Sequence, residues 1–146
     1  MSVQSIMDIA GRRPATTRPD APIAEVAEML ADAGVGALVA KGADGSVAGI
    51  ISERDIVRGL REHGEGLLAM RADALMTRSV VTCSAENDVE DVMRLMTDNA
   101  IRHIPIVDAD GGLVGMVSIL DVVRSRLATV ETDYGTLRNF MDTRIE

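Results

Sequence analysis

"GIISERDIVRG" occupies residues 49–59, and "GMVSILDVVRS" occupies residues 115–125. Each spells Gly, two apolar residues, Ser, two variable residues, Asp, an apolar residue, Val and Arg. The likeness extends outward from both. Laid without a gap, residues 14–58 match residues 80–124 identically at 11 of 45 positions, Thr16/Thr82, Gly49/Gly115, Ser52/Ser118 and Asp55/Asp121 among them. Seven identities fall from Asp44 onward, where turns and helix starts are expected. The chain reads as two copies of one structural unit.

Each copy has the same local pattern. A short extended piece, "PATT" or "VVTC", comes first. Ile23, Val26, Ala27 and Leu30 then recur at helical spacing, and Val89, Val92, Met93 and Met96 repeat it. Asp20 and Ser84 are candidate N-caps for these helices. Strands are expected at Ala37–Ala40 and Val47–Ile51, and at His103–Val107 and Leu113–Val117. Asp-Gly between each pair of apolar runs predicts a hairpin. A second helix starts at Ser52 or Ser118. Each unit is therefore β-α-β-β-α. A unit this small buries too little surface to be stable alone, so the two are expected to pack together. The fold class is mixed α/β, of the α+β kind, with two tandem units related by pseudo-twofold symmetry. The expected division is unit one at 6–62, a linker at 63–74 with a short helix around Leu67–Met70, unit two at 75–129, and a helical tail at 130–146.

Composition bounds the function. With 146 residues and 47% hydrophobic content there is material for a real core, and it must be aliphatic: one Tyr, one Phe and no Trp stand against nine Met. A net charge of −8 argues against nucleic acid as a partner. No apolar run has membrane-spanning or signal-peptide length. The single cysteine, Cys83, can form no intrachain disulfide, which suits a reducing compartment. A cytoplasmic location is expected. The two histidines, His63 and His103, and the one cysteine make no metal motif of recognised spacing. No catalytic constellation is visible either, so an enzyme is not expected.

The doubled Ser-x-x-Asp supports two readings. One is a capping box, with Asp at the N3 position. The other is a ligand site: free amides at a helix start attract anions, and an aspartate one turn along suits a ribose diol. Arg102 and His103 before the second copy's strand, and Arg54 in the first motif, are candidate phosphate contacts. Their counterparts Gly36, Ala37 and Leu120 differ, so two clefts formed by the repeat would be chemically unequal.

The stretches "VGALVAKGADGSVAGIISERDIVRGL", "MTRSVVTCSAENDVEDVMRLMTDNAIRHIPIVD" and "IRHIPIVDADGGLVGMVSILDVVRSRL" resemble CBS domains, and together a stand-alone CBS-domain pair, or Bateman module. The resemblance implies two lobes with clefts between them that take adenosine-containing ligands: AMP, ADP, ATP, NAD or S-adenosylmethionine. It implies that Asp55 and Asp121 hold ribose, that Ser52 and Ser118 lie near phosphate, and that Thr16 and Thr82 line the clefts. It implies a homodimer and a regulatory role toward a protein target, with no obligatory cofactor. A structural adaptor with unoccupied clefts is the alternative. Relatives often carry Lys before the glycine that is Gly11 here; Ala10 stands in its place, so one phosphate contact is missing or falls to Arg12 or Arg13. In the tail, Val130, Tyr134, Leu137 and Met141 have helical spacing. They mark either a helix folded back on its own lobe or a contact between two copies.

Overall fold

The computed structural model describes residues 1–10 and 14–143, without the side chains of residues 9, 10, 140, 142 and 143. Gly11, Arg12 and Arg13, and the side chains of Ala10 and Phe140, therefore lie outside the described residues. The order is α1 (Val3–Ala10), β1 (Thr16–Thr17), α2 (Ile23–Ala33), β2 (Ala37–Lys41), β3 (Val47–Ser52), α3 (Glu53–His63), a 3-10 helix (Gly64–Ala69), α4 (Ala72–Leu75), α5 (Val89–Asn99), β4 (His103–Val107), β5 (Leu113–Ser118) and α6 (Ile119–Thr143).

The two hairpins are copies in register and in irregularity. Ala37 faces Ser52 across β2–β3, and His103 faces Ser118 across β4–β5. Each has a bulge at the same point, between Ala40 and Lys41 or between Ile106 and Val107. The turns use Gly45 and Gly111 at φ +84° and +83°, a conformation that only glycine adopts freely. Strand alternation then sorts the side chains. Leu38 and Ala40 join the first core with Ile23, Val26, Leu30 and Ile51. Ile104 and Ile106 join the second with Val89, Val92, Met96 and Val117. The opposite strand face carries Val39 and its counterpart Pro105; both are fully buried yet belong to neither core. They lie where one lobe covers the other. Two contacts near the pseudo-axis fit that arrangement: Ser46 bridges its own counterpart Gly112, and His103 sits against Gly36.

The lobes also exchange their leading segments. Val3 and Ile6 of α1 are buried in the second core, while Leu67, Ala72 and Met76, from the linker and the start of the second unit, are buried in the first. Matched backbone bonds hold both crossings. The Val89 amide donates to the Met1 carbonyl at 2.9 Å, and the Ile23 amide donates to the Met70 carbonyl at 2.8 Å. The crossings explain the paired glycines. A Cβ on Gly49 would lie 2.6 Å from Met76 Sδ and 2.9 Å from the Thr77 carbonyl oxygen; one on Gly115 would lie 3.0 Å from Met7 Cε.

Three expectations need correction. "VVTC" makes only a single bridge, Cys83 to Ile106, instead of a strand. In the first copy the Val39 amide donates to the Ala15 carbonyl at 3.2 Å. The counterpart of Val39 is Pro105, which has no amide to give. Asp20 and Ser84 are not N-caps. Asp20 pairs with Arg18, and the Ser84 amide donates to Asn87 Oδ1 at 2.8 Å. Helix α2 starts after Pro22 without a side-chain cap, and α5 is capped by Asp88 with Asp91. Finally, the tail is no helix folded back on its lobe. It continues α6 outward, with Val130, Tyr134, Leu137 and Met141 all more than half exposed. Near Leu67 the linker is a 3-10 helix, as the sequence suggested in place if not in type.

The glycine geometry predicts an unequal response to adding a methyl group. Gly49→Ala meets a backbone carbonyl that cannot yield, and is expected to cost about 1–3 kcal/mol. Gly115→Ala meets the tips of Met7 and Ile106, which can shift, and is expected to cost less. Urea unfolding midpoints of the two variants check this order.

Candidate functional site

At the end of β3 the chain turns into α3, and the turn locks itself. The Ser52 amide and hydroxyl both donate to Asp55 Oδ2, at 2.9 and 3.1 Å, and the Asp55 amide donates back to Ser52 Oγ at 3.4 Å. The next amide, on Glu53, donates to the Gly36 carbonyl at 3.0 Å. This is a reciprocal capping box. Its counterpart is the same: the Ser118 amide and hydroxyl donate to Asp121 Oδ2 at 2.9 Å each, and the Ile119 amide donates to the Arg102 carbonyl at 2.8 Å.

The lock spends only part of the aspartate. Oδ2 of Asp55 carries the cap, while Oδ1 has Arg58 Nη1 at 3.8 Å, an exposed and therefore weak pairing. The Ser52 hydroxyl proton, by contrast, is committed to Asp55. Serine here orients the carboxylate and has no proton left for a phosphate unless that bond opens.

Around this helix start lies a cleft of about 540 Å³. One wall is the first copy: Gly36, Ala37, Ile50 and the α3 residues from Ser52 to Arg58. The other is the segment Thr77–Val81 and the approach to β4, Ala100–His103. Of the nine sequence-predicted residues, the cleft brings together Ser52, Arg54, Asp55, Arg102 and His103. Thr82 is exposed and lies one residue beyond the lining; Thr16 sits in β1 opposite Val39 and does not line it either. Ser118 and Asp121 stand at the matching point of the second copy.

Sequence reading missed Glu53, Arg58, Thr77 and Ser79 as lining residues. Arg58 was legible in principle, since it lies one turn after Asp55 on the same helix. Thr77 and Ser79 were not, because they belong to the leading segment of the second unit yet serve the first. The Thr77 amide and carbonyl pair with those of Ile50 at 2.9 and 3.0 Å, which pins this segment beside β3.

The electrostatics are local. Arg54, Arg58 and Arg102 face Glu53 and Asp55, so the cleft is net positive by one in a chain of net charge −8. His103 has its proton affinity lowered by burial; Glu53 and Asp121 oppose this, and Arg102 adds to it. Burial pushes the Cys83 thiol up to about 11, so it stays protonated and inert at neutral pH. No cluster of potential metal ligands occurs among the described residues, and no described helix is long and apolar enough to cross a membrane.

Two like lobes that close around a cleft, with one wall from each copy, define a tandem-repeat module. The chain belongs to the CBS-domain family: the family's pattern matches residues 6–62 and again 72–128. It is similar to a solved CBS-domain containing protein of Agrobacterium tumefaciens, at 36% identity and TM-score 0.82, over 86% of this chain and 99% of that one. It is also similar to a CBS domain protein of Pyrobaculum aerophilum solved with AMP, at 29% identity and TM-score 0.76, over 88% and 99%. A third likeness is to the CBS domain pair of the protein MJ0100, solved with 5′-methylthioadenosine and S-adenosyl-L-methionine, at 26% identity and TM-score 0.80, over 88% and 98%.

The His103 environment predicts a pH effect with a definite sign. The folded protein binds this proton less tightly than the unfolded chain does. Below the ordinary histidine value of about 6.5 the unfolded state therefore takes up more protons, and stability falls as pH drops through that value. The expected result is that His103→Gln flattens the loss between about pH 7.5 and about pH 5.5 in urea titrations relative to the parent chain.

Proposed function

We propose that the protein is a regulatory sensor of adenine nucleotides, and that the cleft at Asp55 is its primary site. The observation that carries this is the half-used carboxylate: Asp55 is held rigidly through Oδ2, leaving Oδ1 for a ribose diol beside three arginines. A planar base has aliphatic walls to lie between, from Ile50, Val57, Val80, Val81 and Ile101. The cleft volume is within the range of about 300–1,000 Å³ usual for small-ligand sites. Phosphates would meet Arg102, Arg54 and Arg58, and the Arg54 amide, for which no partner is seen among the described residues.

The arginines choose among the ligands that relatives hold. A phosphate gains charge-assisted bonds from them. The positive sulfonium of S-adenosylmethionine gains nothing from three guanidinium groups and is repelled by them. AMP, ADP, ATP or NAD is therefore favoured over S-adenosylmethionine or 5′-methylthioadenosine. A ligand that touches both walls favours the arrangement in which the lobes are closed on it. The shift it can cause is bounded by its differential affinity for the two arrangements.

Isothermal calorimetry against AMP, ATP, NAD and S-adenosylmethionine tests this reading. At least one nucleotide is expected to bind below 1 mM, or better than about 4 kcal/mol, and more tightly than S-adenosylmethionine. Asp55→Ala removes a hydrogen bond to a charged group, expected to cost about 1.5–3 kcal/mol of affinity. Asp121→Ala should leave that site's affinity unchanged. No binding by any nucleotide, or full affinity in Asp55→Ala, would refute the assignment and leave the adaptor reading standing.

A further inference from the structure

The cleft holds one titratable group that the nucleotide site as proposed above does not use. His103 opens β4, lines the cleft next to Arg102 and is half-buried. Its ring lies against Gly36 of the other lobe: a Cβ there would be 3.1 Å from Cε1 and 3.3 Å from Nε2. The missing side chain is what makes room for the ring. The first copy has Ala37 in the corresponding place, so the repeat supplies this imidazole once.

Charge reaches the ring from both lobes. Arg102 precedes it in the chain, Glu53 comes from the first turn of α3, and Asp121 from the first turn of α6. Arg54 and Arg58 share the same cleft. Glu53 Oε1 lies 3.8 Å from the point on Gly36 that the ring crowds. Neither ring nitrogen is hydrogen-bonded among the described residues, and neither is the Glu53 carboxylate. The other acids are engaged: Asp55 Oδ2 with Ser52, and Asp121 Oδ2 with Ser118, which faces His103 across the hairpin. In the chain by itself, burial disfavours the imidazolium and outweighs Glu53 and Asp121, and Arg102 adds to the penalty. A phosphate among the three arginines reverses that balance. It cancels the repulsion from the guanidinium groups and adds negative charge beside the ring, in a partly buried site where charge is felt more strongly than in water. The imidazolium has two N–H donors where the neutral ring has one, enough for a phosphate oxygen and for Glu53 of the opposite lobe.

On the reading of this cleft as a nucleotide site, we propose that binding of a phosphorylated nucleotide takes up a proton at His103, so that affinity rises as pH falls and the protein answers to nucleotide and acidity together. The bound state holds this proton more tightly than the free state. Linkage then requires that protonation tighten nucleotide binding by the same factor. Each unit by which the phosphate raises the ring's pKa is worth about tenfold in affinity between high and low pH. The nucleotide also opposes the acid destabilisation of the chain by itself, because it supplies the negative charge that the half-buried ring lacks.

The full chain is the test object. Its two histidines give two ring signals by NMR, and His63→Gln, at a residue that does not line the cleft, identifies the remaining signal as His103. Saturation with whichever of AMP, ATP and NAD binds is expected to move the His103 titration upward and to leave that of His63 in place. The dissociation constant of that nucleotide should fall between about pH 8 and about pH 5.5 by about three- to tenfold more in the parent than in His103→Gln. The difference between the two chains removes the titration of the nucleotide's own phosphate, whose second pKa in a monoester is about 6. The NMR measurement needs only an intact cleft, so it decides the matter even where His103→Gln fails to fold. A nucleotide that binds while the His103 titration stays or moves down, or that binds parent and His103→Gln with the same pH dependence, would overturn the coupling and leave the nucleotide site standing. No binding by AMP, ATP or NAD from about pH 8 to about pH 5.5 would overturn both.

Discussion

The structure depends on a crossing. Each unit lacks one piece of its own core and receives it from the leading segment of the other unit: Met76 lies on Gly49, and Met7 on Gly115. Neither unit can bury its apolar face with its own residues alone, and a unit this small could spare none of that burial. The exchange therefore joins two marginal halves into one body. It also makes the cleft. The chain that brings Met76 to Gly49 continues as Thr77–Val81, and that continuation is the second wall facing Ser52 and Asp55. Core packing and the cleft wall come from the same few residues.

The same economy governs Asp55. A capping residue and a ligand residue are usually weighed as rivals, but one carboxylate has two oxygens, and under the proposed function they have separate duties. Oδ2 accepts from the Ser52 amide and hydroxyl, which fixes the side chain's rotamer and its direction. A fixed acceptor loses little entropy on binding, so under the proposed function the cap would prepare the site for its ligand. Under the proposed function the Ser52 hydroxyl has a positioning role, and the phosphate contact expected of it falls to the arginines and the helix amide.

Much of this was legible in the residues. The hairpins, their glycine turns, the aliphatic helices and the doubled Ser-x-x-Asp all follow from spacing, because each is a local pattern with a local cause. What stayed hidden was relational. The first and second leading segments, Ile6-Met7 and Leu75-Met76, correspond at an offset of 69 residues, while the repeats correspond at 66. A gapless overlay passes over that match, and with it the crossing and the role of Thr77. Arg102 and His103 were found because they differ from Gly36 and Ala37. Thr16 and Thr82 were carried in by family likeness alone, and no geometry draws Thr82 into the cleft.

Departures from symmetry show where the two halves have been assigned different work. Pro105 faces the lobe interface at the position of Val39, and its missing amide thins the second sheet to two strands. His103 fills the space that Gly36 leaves open: a Cβ on Gly36 would lie 3.1 Å from His103 Cε1. The ring thus sits between the lobes, beside Arg102 and within the fields of Glu53 and Asp121, one acid from each helix start. Exchanging Arg54 and Arg102 for their counterparts Leu120 and Gly36 would remove most of the positive charge from the cleft without touching the caps. Fold and charge are therefore separable in this architecture. The capping boxes stand in both copies because the backbone needs them, whereas Arg54 and Arg102 stand in one copy each and have no charged counterpart.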